Sequence, residues 1–149
     1  MGNGKFSLEV KITKELKLNG EYYKMVELEH INPGTPVAGP YTPGVKAGNL
    51  LFVSGQGPKQ GATEIKEQTY SVLENVKAIV EAAGGTVANL VHIKVYLRDM
   101  NDFGKMNRSY KKFFADNGIT DKFPSRSTLE VSGLPVASML LELDAIASI

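Results

Sequence analysis

The sequence contains no cysteine. That absence removes a disulfide framework, a thiolate nucleophile and any cysteine-based zinc site. Neither sign of charge dominates: 17 Lys and Arg against 16 Asp and Glu leave a formal charge of +1. This balance argues against an obligate nucleic-acid binder that relies on neutralising phosphates, although a local basic patch stays open. No apolar run approaches the ~20 residues needed to span a bilayer, and the N-terminus lacks the apolar core of a signal peptide. The opening "MGNGKF" begins like a myristoylation site but carries Phe6 where Ser or Thr is required. The expectation is a soluble, cytoplasmic chain without a membrane partner. The two histidines, His30 and His92, have no metal-ligating companions nearby, and His92 alternates with Lys94 and Tyr96 along a strand. A Walker loop, a dinucleotide glycine fingerprint, a Gly-x-Ser-x-Gly elbow and a His-Glu-x-x-His helix are all missing. No metal and no cofactor are therefore expected.

What the chain does hold is enough apolar residue, 42% of 149, for one domain around one core. "SLEVKIT" (residues 7–13) alternates Leu8, Val10 and Ile12 with Glu9 and Lys11, the pattern of a half-buried strand. Asn19-Gly20, between strand-like flanks in "LKLNGEYYKMVELEH", signals a two-residue hairpin. "INPGTPVAGPYTPG" (residues 31–44) is too rich in proline and glycine for a helix or central strand and reads as a shaped loop. "NLLFVSGQGP" is a short apolar strand ending in Ser54-Gly55-Gln56. A first helix follows from Thr63 as cap to the Gly84-Gly85 stop, carrying Ile65, Val72, Val76, Ile79, Val80 and Ala83 at helical spacing. "LVHIKVYL" is a strand with Val91, Ile93, Val95 and Leu97 on one face. Phe103, Met106, Tyr110, Phe113 and Phe114 mark a second helix, capped by Asn101 or Asp102 and stopped at Asn117-Gly118. "SRSTLEV" and "MLLELDAIA" close the chain as two strands around a loop with Gly133 and Pro135. The order predicts an α+β layer, both helices on one face of a mixed sheet. The uncovered face makes oligomerisation a reasonable expectation.

Several polar residues could carry chemistry. Alternation places Arg126 on the face of Thr128 and Glu130, opposite Leu129 and Val131. It is either an ordinary surface or ion-pairing arginine, or a planar fork for a small carboxylate. Glu142 shares its face with Leu140 and Asp144 between Leu141 and Leu143. It is either a solvated strand residue or a carboxylate with a raised pKa that can polarise water. Asn107 borders the apolar stripe of the second helix, while Tyr41 and Ser54 sit in the Gly/Pro-rich loop and at the strand end, as hydrogen-bond donors or turn stabilisers.

Taken together, "GPYTPGVKAGNLLFVSGQGP", "ENVKAIVEAAGG", "VYLRDMNDFGKMN", "FPSRSTLEVSGLP" and "LELDAIA" resemble the Rid (reactive intermediate deaminase) family, also called YjgF. Five blocks occur in the family's order from about Met25 to Ile149, which makes the resemblance specific. It implies a chorismate-mutase-like α+β fold in one domain over residues 1–149. The family core would cover 25–149, and 1–24 would be an N-terminal extension with an extra β-hairpin. It also implies a homotrimer with clefts at the subunit interfaces. In members with deaminase activity, 2-imino or enamine acids such as 2-aminoacrylate and 2-iminobutyrate are hydrolysed to 2-keto acids and ammonia. By this resemblance Arg126 would clamp the substrate carboxylate, with the backbone N–H of Thr128 as a further donor. Glu142 and Tyr41 would serve the attacking water, and Ser54, Gly55 and Asn107 would line the substrate site.

The sequence departs from the family in three places. Thr128 stands where many members carry cysteine, so thiol-dependent regulation is excluded. "GPKQGATEI" is shorter than the usual connection after Ser-Gly-Gln, and residues 1–24 have no counterpart in compact members. Two other readings compete with the deaminase: an endoribonuclease or translation inhibitor, disfavoured by the neutral charge, and a non-catalytic trimer binding small carboxylates such as 2-ketobutyrate. Glu142 separates the last from the first, because binding alone does not require a positioned water.

Overall fold

The computed structural model describes residues 15–35 and 37–149; the strand expected over 7–13 lies outside them. Eight strands and two helices follow one another as β1 (Glu15–Leu18), β2 (Glu21–Lys24), β3 (Leu28–Ile31), β4 (Gly44–Ala47), β5 (Leu50–Gln56), α1 (Ile65–Ala82), β6 (Leu90–Leu97), α2 (Phe103–Asp116), β7 (Ser125–Glu130) and β8 (Leu141–Ser148). Strands β1 and β2 form an antiparallel pair with Leu18 opposite Glu21. Asn19 and Gly20 between them take positive φ angles of 51° and 88°. Both central residues in the left-handed region is what a type I′ hairpin turn requires, and Asn-Gly is the dipeptide that adopts it most readily.

The remaining strands build one sheet in the order β3-β4-β5-β8-β6-β7. Every neighbouring pair is antiparallel except β6 with β7, which run parallel. The sheet is therefore mixed, and β7 forms one edge. Its central strands send Leu51, Val53, Ile93, Val95, Leu97, Leu141, Leu143, Ala145 and Ala147 to a common side, where all are buried. Against them pack Val72, Leu73, Val76, Ile79 and Val80 of α1 and Met106, Phe113 and Phe114 of α2. The expected one-sided α+β layer is thus the observed one.

Local signals fix how these elements join. Helix α1 ends in a Schellman motif: Gly84 at φ 90° donates to the carbonyl of Glu81, and Gly85 donates to that of Val80. Its start lies one residue later than expected, with Glu64 rather than Thr63 in the cap position and no side-chain cap bond. Asp102 likewise precedes α2 without capping it. The capping carboxylate is Asp99, which accepts from the Asn101 N–H at 2.8 Å and opens a short 3₁₀ turn, Met100–Asp102. Strand β4 escaped the sequence reading because it is four residues long and emerges directly from the proline-rich loop.

Two corrections concern faces. Val91 is 48% exposed and Leu90 is buried in its place, because the β6–β8 register shifts between Leu90 and His92. More consequentially, the apolar residue of β7 lies outward. Leu129 is 47% exposed, whereas Arg126 pairs with Ile93 and Thr128 with Val95, both fully buried residues of the helix side. Arg126 thus sits on the core side of an edge strand, at the rim where the helix layer ends.

Candidate active site

The expected site residues fall into two groups. The first is built by β5, β8 and the loop before β4, on the sheet face that carries no helix. Glu142 alternates with the buried Leu141 and Leu143, so it points to that open face. Gly55 lies against it: a Cβ at Gly55 would collide with Glu142 Oε1 and stand 2.9 Å from its Cδ. Glycine is needed here for close approach, since any side chain would displace the carboxylate. Burial pushes the Glu142 carboxyl above its ordinary pKa, and the negative charge of Asp144 on the same face adds to the rise. Asp144 itself accepts a 2.6 Å hydrogen bond from the Tyr96 hydroxyl. The Tyr96 phenol is pushed up to about 12, by burial first and then by that bond.

Ser54 and Tyr41 belong to the same neighbourhood with structural work to do. The Ser54 hydroxyl donates to the Thr42 carbonyl at 2.7 Å, and its N–H donates to the Pro43 carbonyl at 2.9 Å. These two bonds tie the Gly/Pro-rich loop to the end of β5. Tyr41 is exposed, with its hydroxyl accepting from the Ala38 N–H at 3.3 Å. The loop thus presents a phenol to solvent on a backbone anchored next to Glu142's strand.

The second group surrounds Arg126. Asn107, Tyr110 and Lys111 of α2, with Phe123, Pro124 and Arg126 of the chain entering β7, line a cleft of about 430 Å³. Among the described residues, no carboxylate lies within 4.0 Å of the Arg126 guanidinium. Its neighbours are aromatic instead: the guanidinium carbon is 4.7 Å from the centroid of Tyr110 and 5.8 Å from that of Phe103. A guanidinium that keeps its charge, set in a cleft with Lys111 and without a carboxylate within 4.0 Å among the described residues, has donors free to meet an external anion. Thr128 sits two positions along on the same side. As β7 is the sheet edge, alternate N–H groups along it have no partner strand.

Arg126 and Glu142 therefore occupy opposite sides of the sheet within one chain. The resemblance places both on one ligand in a cleft between subunits; within one chain they do not meet, because β8 faces Glu142 outward while β7 shares its inward face with Ile93. Sequence reasoning also passed over Tyr110 as a core residue and Tyr96 as a strand residue. The available signal was the Asn107–Tyr110 spacing of three, which puts an amide and a phenol on one helix face.

Comparison with known proteins agrees with this fold. The profile of the endoribonuclease L-PSP family matches residues 33–149. The chain belongs to the Rid/YjgF family. A RutC family protein of Pyrococcus horikoshii is 47% identical over 115 residues, spanning 73% of this chain and 86% of that one. The 2-iminobutanoate/2-iminopropanoate deaminase of Salmonella typhimurium is 44% identical over 114 residues, covering 73% and 87%. Among solved structures, Escherichia coli TdcF with bound serine superposes with a TM-score of 0.74 at 38% identity, covering 81% of this chain and 98% of that one. The Escherichia coli YjgF gene product gives 0.74 at 39%, covering 80% and 98%. Both are Rid/YjgF relatives of the same α+β architecture. No described helix of the present chain is long and apolar enough to cross a membrane, and the described residues hold no cluster of three or more His, Asp or Glu able to bind a metal.

Proposed function

We propose that this Rid protein hydrolyses small 2-imino and enamine acids, such as 2-iminobutyrate and 2-aminoacrylate, to 2-keto acids and ammonia in a homotrimer whose sites lie between subunits. The observation that carries the reading is Arg126: a cleft guanidinium stacked on aromatic rings with no acidic partner among the described residues. Relatives named as imine deaminases at 44% identity, and a structural neighbour solved with serine, support a ligand that combines a carboxylate with nitrogen on the next carbon.

The chemistry asks little of the protein beyond orientation and an activated water. Arg126 binds the carboxylate through two parallel N–H bonds, with the Thr128 N–H as a further donor. Asn107 borders the same cleft, while Ser54 and Gly55 shape the wall beside Glu142. Glu142, aided by the Tyr41 hydroxyl, holds the water and takes its proton as the oxygen adds to C2. The C=N electron pair then moves to nitrogen, which is protonated. The carbinolamine hydroxyl then gives up its proton to form a new C=O bond while the C–N bond breaks and the nitrogen, protonated again, leaves as ammonia; an enamine first takes a proton at C3 and loses one from nitrogen to become the imine. A carboxylate with a raised pKa is suited to accept and return that proton near neutrality. Arg126 and Glu142 face opposite ways in one chain, so the shared ligand is met by one residue from each of two copies.

The test is a coupled assay in which a pyridoxal-phosphate dehydratase generates 2-iminobutyrate and its decay is followed. Wild type is expected to accelerate decay, and Arg126→Ala and Glu142→Ala to abolish the acceleration with the fold retained. An unchanged rate in Arg126→Ala overturns the assignment. If wild type fails to accelerate decay yet binds 2-ketobutyrate through Arg126, the protein is a carboxylate-binding relative without the reaction. The family's endoribonuclease description favours a second reading, cleavage of RNA. A net charge of +1 gives that reading little electrostatic support, and Arg126-dependent cleavage of a defined RNA is the result that establishes it.

A further inference from the structure

Arg126 poses a positioning problem that a carboxylate partner cannot solve. An acidic residue would fix the guanidinium but would occupy the same N–H fork that an anionic ligand needs. The structure uses two rings of α2 instead. Phe103 and Tyr110 are seven residues apart, two turns along one helix face, and the guanidinium carbon lies 5.8 Å and 4.7 Å from their centroids. An aromatic face attracts a cation through its quadrupole without consuming its hydrogen-bond donors. Tyr110 is 5% exposed and its ring leans on Phe114, centroid to centroid 4.7 Å, so the platform is itself immobilised by the core. The Tyr110 hydroxyl is buried with no hydrogen-bond partner among the described residues. Such a group carries a desolvation cost, so the ring, not the hydroxyl, is what the position supplies.

We propose that Tyr110 and Phe103 form an aromatic bracket that positions the Arg126 guanidinium in the cleft with its N–H fork free, and so sets the affinity for the ligand carboxylate. The inference rests on the proposed function for the identity of the ligand, a 2-imino or 2-keto acid. Neither ring is a catalytic residue.

Titration calorimetry with 2-ketobutyrate, a stable keto acid that does not turn over, tests the bracket apart from the reaction. Tyr110→Phe is expected to bind within about twofold of wild type and to melt no lower. Tyr110→Leu keeps an apolar side chain but no π face, and is expected to bind about three- to tenfold more weakly, the range of a partly desolvated cation–π contact. Phe103→Leu, at the more distant and 38% exposed ring, should weaken binding in the same direction by less, and serves as the working variant if Tyr110→Leu does not fold. In the imine assay the Leu variants should raise KM with kcat held within about twofold. The bracket is overturned if both Leu variants bind like wild type, if Tyr110→Phe loses as much as Tyr110→Leu, or if wild type does not bind 2-ketobutyrate. Weakened 2-ketobutyrate binding in the Leu variants of a protein without deaminase activity would leave the bracket standing and remove only the proposed reaction.

Discussion

At the scale of single residues, Glu142 is the position where stability and proposed chemistry pull apart. Its carboxyl is raised from an ordinary value of 4.5, by burial first and by Asp144 second. A carboxyl raised on folding holds its proton more tightly in the native state than in the unfolded chain. Its contribution therefore falls as pH climbs from 4.5 towards the folded value, and the whole cost is present above that window. Glu142→Gln removes the cost without changing the shape. Thermal melts should show the variant more stable than wild type at pH 7, with the difference closing at pH values below 4.5, where both side chains are neutral. In the imine assay the same variant should lose about a hundredfold or more, the usual contribution of a positioned acid–base group. A variant that melts lower than wild type at pH 7 would mean that a hydrogen-bond donor holds the carboxylate in the native protein, and the raised pKa would then be wrong in sign.

At the scale of elements, two glycines of neighbouring strands separate packing from site geometry. A Cβ at Gly44, the first residue of β4, would stand 2.7 Å from Ile79 Cγ2 of α1 and 3.2 Å from Leu51 Cδ1, both buried in the core with nowhere to move. Gly44→Ala should therefore cost about 1–3 kcal/mol by overpacking. The three atoms nearest a Cβ at Gly55 are Oε1, Cδ and Cγ of the Glu142 side chain, which can swing away. Gly55→Ala should melt within about 1 kcal/mol of wild type while activity falls about a hundredfold, the effect of misplacing a reacting group by an ångström or so. Denaturant unfolding together with the imine assay checks both, and equal stability losses in the two variants would refute the distinction. The elements themselves were largely legible in the sequence because their signals are local. Asn19-Gly20 dictates its own turn, Gly84-Gly85 its own helix stop, and the apolar spacing of α1 and α2 requires no knowledge of their neighbours. What escaped depends on partners far along the chain. Val91 is exposed because of a register shift against β8, and β4 is a strand only because β3 and β5 flank it. Arg126 faces the helix layer because parallel pairing with β6 puts it level with Ile93. Alternation gave its companions on one face correctly, but not which face that was.

At the scale of the whole molecule, the face without helices holds apolar side chains that a water-facing sheet would not need. Phe52 is 46% exposed and Leu129 47%, and they share that side with Glu142, Asp144 and Tyr96. Exposed apolar side chains on a sheet face are what an interface between copies would cover. The proposed trimer supplies one while also bringing an Arg126 of one copy towards a Glu142 of another. Light scattering on the purified protein should give three times the 16.2 kDa chain mass. Phe52→Asp places a charge in the middle of that face at a position the core does not use, so the chain should still fold. Its mass should fall towards that of one chain, and both deaminase activity and 2-ketobutyrate affinity should fall with it, although Phe52 lies on the opposite side of the sheet from Arg126. A variant that dissociates yet keeps full activity would mean that one chain holds a complete site. Because the fold points Arg126 and Glu142 in opposite directions, that result would remove Glu142 from the reaction and leave the water to be held by a residue of the Arg126 cleft.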